Sequence, residues 1–427
     1  MNDRTEARIR RDLAAVDAAR LASPDDIGAA MVAVERRPAR RRRSAVGTAA
    51  ALLVVGASAV LWNTAGGPER ATTGDGGAPP TTLTATPTSR VPLTTPPAPV
   101  SADGWTEVPR DPRGAVTGMS VAWTGTEALV VGGVLQNGDA VDGMMAFDPA
   151  TSSWRSVSEQ PVPLLWPIVQ WTGDRLIAIG WDPDRLNTAA ASLDLATGEW
   201  TVGPEMPFGF KTIPDNPHTW TGGALLVLAG ATPVAYDPNA DSWRTLAAWP
   251  LAERLEATSV WTGSEWIVWG GAANDMSVSG PLGDGAAYDP TTDSWRLLAE
   301  SPLAPRIVGG VWTGSEVLIF AGRSGDGNGM FAFGDGAAYD PVADSWRAIG
   351  DGPAHPGFEA AWADGRLYVF AKGGMSSYDA AHDVWDTPFQ GAGTCFDAAS
   401  PVWTGTSLLL LGCYSGASGG ALFTPAS

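Results

Sequence analysis

A tryptophan followed by a turn-forming pair and then an apolar run recurs seven times along the chain, and this repeat restricts the fold more than any other feature. The tryptophans are Trp123, Trp171, Trp220, Trp261, Trp312, Trp362 and Trp403. The turn pairs are Gly125-Thr126, Gly173-Asp174, Gly222-Gly223, Gly263-Ser264, Gly314-Ser315, Asp364-Gly365 and Gly405-Thr406. Gly-X suits a type II′ hairpin turn and Asp-Gly a type I′ turn, the two whose twist matches paired strands. Each unit is therefore expected to open with a β-hairpin. The runs after the turns, such as Trp266-Ile267-Val268-Trp269 and Leu408 to Leu411, are apolar at consecutive positions, as in strands buried on both faces.

Further along, six units carry an aromatic residue or Leu, then Asp, then usually Pro, with a Trp seven places after the first residue. The pairs are Phe147/Trp154, Leu193/Trp200, Tyr236/Trp243, Tyr288/Trp295, Tyr339/Trp346 and Tyr378/Trp385. Asp-Pro opens a turn, because Pro presets φ and the carboxylate accepts from turn amides. A third strand is thus predicted to end there and a fourth to begin at the Trp.

Four strands repeated at 41 to 51 residues, each sheet stacked on its neighbours, are the signature of a β-propeller blade. From about Trp105 to the C-terminus the chain resembles a Kelch-type propeller, the fold also found in galactose oxidases. The resemblance rests on the glycines after the second strand (Gly132-Gly133, Gly270-Gly271), the Tyr-Asp-Pro element and the spaced Trp. Several units lack the second glycine, and the second reads Leu193-Asp194-Leu195. The seventh unit ends before its fourth strand, whereas Trp105-Thr106-Glu107-Val108-Pro109 reads as a fourth strand with nothing before it. The expected architecture is all-β, a seven-bladed propeller over 105–427 closed by the Trp105 strand, which removes an open sheet edge.

The 427-residue chain has a net charge of −19, unevenly placed. Residues 1–43 hold 11 Arg against 7 acids, so the remainder carries −23. So acidic a region is unsuited to neutralising nucleic-acid phosphates. Between the two regimes Ala45 to Trp62 is uncharged and apolar, about 27 Å long as a helix. Arg36, Arg37 and Arg40 to Arg43 precede it, so residues 44–62 are expected to form a single transmembrane helix with the N-terminus cytoplasmic and the propeller outside. A cleaved signal peptide, with Ala57-Ser58-Ala59 as its site, is the competing reading. Residues 63–104, rich in Thr, Pro, Gly and Ala, read as a disordered linker reaching up to about 100 Å.

In the cytoplasmic segment, Ile9, Leu13 and Val16 share one helical face, as do Ile27, Met31 and Val34; Ser23-Pro24-Asp25-Asp26 reads as a helix start. Two such helices, over 5–37, make either a membrane-surface segment or a docking element for a cytoplasmic partner. The layout of helices, Arg run, membrane helix and outer domain resembles bacterial membrane-bound anti-sigma factors, without their zinc-binding His and Cys: no His or Cys precedes His218.

In an up-and-down blade the turns between strands one and two and between three and four share one face of the disc. The other face gathers the longer connections Val134 to Gly143, Trp181 to Asn187, Ala272 to Gly285 and Arg323 to Gly336, with the links between blades. Binding is expected on this long-loop face. Its candidate ligand-binding residues are Trp166, Asp182, Arg185, Lys211, Arg254, Arg306, Arg323 and Glu359, with Asp184 and His355 beside them. For Arg254 and Arg306, pairing with a neighbouring acid competes with ligand contact.

Metal and cofactor chemistry find no support: there are three His, and no His or Cys pair has zinc spacing. The copper site of galactose oxidases needs two His and two Tyr, whereas Tyr236, Tyr288, Tyr339 and Tyr378 belong to the repeat. Asp326-Gly327-Asn328-Gly329 begins like a calcium loop but lacks the later ligands. No nucleophile elbow, phosphate loop or Cys-His arrangement stands out, so no catalytic residue is assigned. Cys395 and Cys413 lie in the last blade near the same end of one hairpin, and a disulfide between them is expected. The expectation for function is a non-enzymatic, membrane-anchored binding or scaffold module for an extracytoplasmic protein or glycan. The alternatives are a transmembrane signalling regulator and a glycan-acting enzyme.

Overall fold

The computed structural model describes Thr82–Leu83 and residues 104–427, except 115, 136–140, 142, 162–163, 183–186, 207–215, 274–279, 327–328, 353–359, 372–373, 387–388, 391–399, 412–418 and 426–427. The cytoplasmic segment, Ala45–Trp62 and all of the linker but Thr82–Leu83 lie outside the described residues. So do Asp184, Arg185, Lys211, His355, Glu359, Cys395 and Cys413. Among the described residues no helix is long and apolar enough to cross a membrane.

Blade 4 shows the unit. Thr258–Trp261, Trp266–Trp269, Gly285–Asp289 and Ser294–Leu297 form an antiparallel sheet in sequence order. The other six blades repeat this order, with Thr82–Leu83 of the expected linker added outside Glu199–Val202 in blade 2; their innermost strands are Ser120–Trp123, Leu165–Trp171, His218–Trp220, Gly310–Trp312, Ala360–Ala363 and Ser400–Trp403. Second strands such as Ala128–Val131, Trp266–Trp269, Val317–Phe320 and Leu408–Leu411 are buried at every position. That accounts for the unbroken apolar runs, because each face of the strand meets a different neighbouring blade. The core is accordingly a ring of interblade clusters; in one, Val260, Ile267 and Ala287 of blade 4 pack on Val317, Ile319 and Tyr339 of blade 5.

The seventh blade draws on both ends of the described propeller. Trp105–Val108 lies antiparallel to Gly420–Phe423 as its outermost strand, with Trp105 opposite Phe423 and Val108 opposite Gly420. This pair occupies the position filled in other blades by the residues seven apart. Tyr236 is opposite Trp243, Tyr288 opposite Trp295, Tyr339 opposite Trp346 and Tyr378 opposite Trp385. Ring centroids in these pairs and in Trp105/Phe423 lie 4.9 to 5.1 Å apart. Tilted contacts of this kind contribute about 0.5–1.5 kcal/mol beyond area burial.

Turn chemistry follows residue type. Gly125, Gly173, Gly222, Gly263, Gly314 and Gly405 have φ between +94° and +108° with no positive φ at the next residue, the type II′ pattern. Asp364 (+49°) and Gly365 (+74°) are both positive, the type I′ pattern. In six turns a Thr hydroxyl bonds the main chain; Thr262 Oγ1 accepts from Glu265 N at 2.9 Å. The glycine pairs after the second strands are needed for closeness. Gly271 has φ +87°, and a Cβ there would lie 2.5 Å from the Leu255 carbonyl. Blade 5 has Ala321 at the first position of the pair, held at φ +62°.

Three connections expected to be irregular hold paired strands instead, Val134–Leu135 of blade 1 lying antiparallel to Val116–Thr117. Arg323–Asp326 and Gly329–Ala332 form a two-stranded ribbon, and the second hairpin of blade 2 runs on until Asp182 stands opposite Asn187.

Candidate functional site

The two faces of the ring differ in how much chain they carry. One bears the two-residue turns and the Asp-Pro turns. The other bears the ribbon of blade 5, the extended hairpin of blade 2 and the connection in blade 4, where Ala272 bridges both Leu255 and Pro281. This long-loop face is best defined around blades 4 and 5.

There the sequence places Leu-Ala-x-Arg twice, as Leu251 to Arg254 and Leu303 to Arg306, each in the link entering a blade. Both arginines are completely buried. Arg254 Nη1 donates to the carbonyls of Gly270 (3.2 Å) and Asp284 (2.8 Å), Nη2 to Asp284 Oδ1 (3.0 Å), and its guanidinium lies over Trp249. Arg306 Nη1 donates to the Ala321 carbonyl (3.1 Å) and Asp335 Oδ1 (2.8 Å), Nη2 to Asp335 Oδ2 (3.0 Å), and it stacks on Phe333. Burial draws Arg254 below its ordinary value while Asp284 pulls it back, and from so high a start it stays charged at neutral pH. The Arg306 guanidinium holds the Asp335 carboxyl below the usual carboxylate range.

Of the two readings weighed for these arginines, the geometry supplies the acid partner. Each ties the end of a second strand to the start of a third, and with no exposed surface neither reaches an incoming molecule. The groups left at the surface are the carboxylates, half exposed at Asp284 (54%) and Asp335 (45%).

Arg323 opens the ribbon, bridged to Ile307. Its Nη2 bonds Glu256 Oε2 at 2.6 Å across 67 residues, with both side chains mostly buried. Glu256 holds φ +50°, unusual for a residue with a β-carbon. This ion pair fastens the ribbon of blade 5 to the link between blades 3 and 4. Trp166 and Asp182 fall in strands Leu165–Trp171 and Arg175–Asp182 of blade 2, away from this group. Of the described candidates the structure thus brings together Arg254, Arg306 and Arg323.

Sequence reading passed over three features. Glu256 and Asp284 carry no motif and become visible only through their arginines. Arg113 grips Asp111 through Nε (3.0 Å) and Nη2 (2.6 Å) and donates Nη1 to the Gly143 carbonyl, so blade 1 has the same clamp on its third strand; the offset of three residues from the Arg254 position hides it. His218 opens the innermost strand of blade 3, with Nδ1 2.8 Å from the Asn216 carbonyl. Burial lowers its pKa, so the ring is neutral at pH 7 with Nδ1–H donating.

No family model matches the chain. Kelch-like protein 25 of Xenopus tropicalis is similar, with 23% identity over 148 residues, 33% of this chain and 24% of the relative. The chain thus spans about a quarter of the length of the curated relative it matches.

Proposed function

The chain is a seven-bladed β-propeller of Kelch type, and from that premise we propose that it is a non-enzymatic binding module taking a protein or glycan on its long-loop face. The observation that carries this reading is the asymmetry of the disc: the ribbon of blade 5 and the bridged connection of blade 4 stand on one face, held by Glu256–Arg323. Loops fixed on a rigid scaffold supply binding surface without ordering cost on association. Kelch propellers commonly bind proteins, which supports a protein as ligand. Arg254, Arg306 and Arg323 are committed to Asp284, Asp335 and Glu256, an arrangement suited to shaping a surface more than to proton transfer.

The reading places this module outside the cell on the anchor Ala45–Trp62, with Arg36 to Arg43 on the cytoplasmic side. It is supported by the charge step from +4 over residues 1–43 to −23 beyond. Gly104, next to the closing strand, accepts from Thr424 N through its carbonyl at 2.9 Å on the tight-turn face.

The test is a binding screen of the purified chain against cell-wall glycans and exported proteins, repeated with Glu253→Lys and Asp326→Lys on the long-loop face and Thr126→Lys on the other. Binding lost in the first two and kept in the third supports the reading. A ligand indifferent to both long-loop substitutions contradicts it.

A further inference from the structure

The tryptophans of the repeat divide into two classes. Those of the outer strands of blades 1 to 6 are tied into the protein: Trp154, Trp243, Trp295, Trp346 and Trp385 donate Nε1–H to carbonyls of the preceding blade, and Trp200 to Ser158 Oγ. The seven that end the innermost strands are different. Each packs its ring between two blades, as Trp403 does on the cluster of Ala361, Tyr368 and Leu408, yet five of them are only half-buried. Among the described residues none of the seven donates its indole N–H to protein, and none of these N–H groups is among the buried unpaired ones. Successive innermost strands lie against one another, so these indoles form a ring about the axis on the tight-turn face.

Carboxylates stand beside them. Glu127, Glu265 and Glu316 each close a turn and grip Arg155, Arg296 and Arg347 of their own blades. Asp174, 73% exposed while accepting from Thr172 Oγ1 and lying 3.8 Å from Arg175, and Asp364, exposed, sit within the turns that follow Trp171 and Trp362. At the outer turns of the same face Asp293 and Asp344 add further exposed acids. Aromatic faces attract cations through their quadrupole, and the net charge of −19 makes a cationic partner the complementary one.

We propose that the tight-turn face is a second docking surface, on which the ring of indoles and the turn carboxylates take a Lys- or Arg-rich segment of a partner protein. It stands apart from the long-loop reading, since it uses the opposite face and different residues. Basic side chains extend over the half-buried indoles, while Asp174 and Asp364 bind their charge. A neutral glycan would use the same ring faces but gain nothing from the acids.

The experiment titrates the full chain with a fluorescent peptide of alternating Arg, Lys and Gly, with a second peptide carrying Gln in place of each base, and with a neutral oligosaccharide. The variants are Trp171→Phe/Trp362→Phe, which keeps an aromatic wedge, and Asp174→Asn/Asp364→Asn at exposed turns, each checked for an unchanged melting curve. Saturable binding of the basic peptide, at least tenfold tighter than the Gln peptide, weakened at least fivefold by either double variant and by raised salt, is the expected result. Equal affinity for the two peptides, undiminished binding in the folded Asn variant, or binding of the oligosaccharide without the basic peptide overturns the proposal.

Discussion

The phenol of Tyr288 donates to Asp293 Oδ1 at 2.6 Å, and the same oxygen accepts the Ala247 amide of the preceding blade at 3.0 Å. The Ala247 carbonyl in turn accepts from Trp295 Nε1 at 2.9 Å. One residue in the link leaving blade 3 is thus held by blade 4 through both its N–H and its C=O. Blades 5 and 6 repeat the clamp through Tyr339–Asp344 on Ala299 and Tyr378–Asp383 on Gly350. In blade 1, where Phe147 replaces the Tyr, the acid position is Ser152; in blade 2, where Leu193 does, it is Gly198. Both keep the positive φ that the Asp residues show.

Tyrosine and aspartate should therefore be energetically coupled. Tyr288→Phe and Asp293→Ser are each expected to cost about 1–2 kcal/mol in urea unfolding, and the double variant clearly less than their sum. Strict additivity would mean that the bond adds nothing to blade joining.

Acid should loosen the same clamps. Asp293, Asp344 and Asp383 are held below 3.8, first by the phenol and also by the amide of the preceding blade. Tyr288 and Tyr378 are pushed up to about 12, chiefly by burial, and stay neutral donors. A carboxylate depressed in the folded state stabilises fully above its unfolded value, and that contribution is lost as pH falls through the folded one. The stability gap between the wild type and Tyr288→Phe/Tyr339→Phe/Tyr378→Phe should be flat from about pH 5 to 8 and narrow below about pH 4. Unfolding midpoints measured across that range check it.

The buried arginine clamps should respond unequally to loss of either partner. Arg254→Met strands the carbonyls of Gly270 and Asp284 and is expected to cost about 3 kcal/mol. Asp284→Asn keeps the Oδ1 acceptor and both carbonyls but removes the counter-charge of the buried guanidinium, and should cost less, about 2 kcal/mol. Denaturant midpoints of the two variants give the comparison.

Blade 5 should tolerate a glycine better than its own alanine. Left-handed φ at Ala321 costs about 1–2 kcal/mol, partly offset by the greater chain entropy of Gly, so Ala321→Gly is expected to stabilise by about 0.5 kcal/mol. Gly322→Ala, whose Cβ would lie 2.6 Å from the Ile307 carbonyl, should destabilise by about 2 kcal/mol or more. Thermal melts of both variants decide it.

What the sequence revealed was governed by local rules. Turn type followed from Gly and Asp-Gly, double-sided burial from unbroken runs such as Leu408 to Leu411, and facing pairs from the spacing of Tyr288 and Trp295, because register across a short turn depends on few residues. The site was less legible. The partners of Arg254, Arg306 and Arg323 are 30, 29 and 67 residues away; the first two meet only once a blade's sheet folds back on the link that enters it, and the third only once blades 4 and 5 lie side by side. The ribbon after Arg323 was hidden because Gly-rich composition suggests a loop, whereas its strands pair through backbone groups that need no particular side chain.

The whole account depends on one rigid ring, closed at Trp105–Val108 against Gly420–Phe423, that holds the loops of blades 4 and 5 in place. The direct test is urea unfolding of the chain with residues 101–112 deleted, followed by tryptophan fluorescence. Closure by this strand predicts loss of the single cooperative transition, or a midpoint lowered by at least 2 M as about 1–3 kcal/mol per molar of stability disappears. An unfolding curve that overlays the intact chain would contradict it.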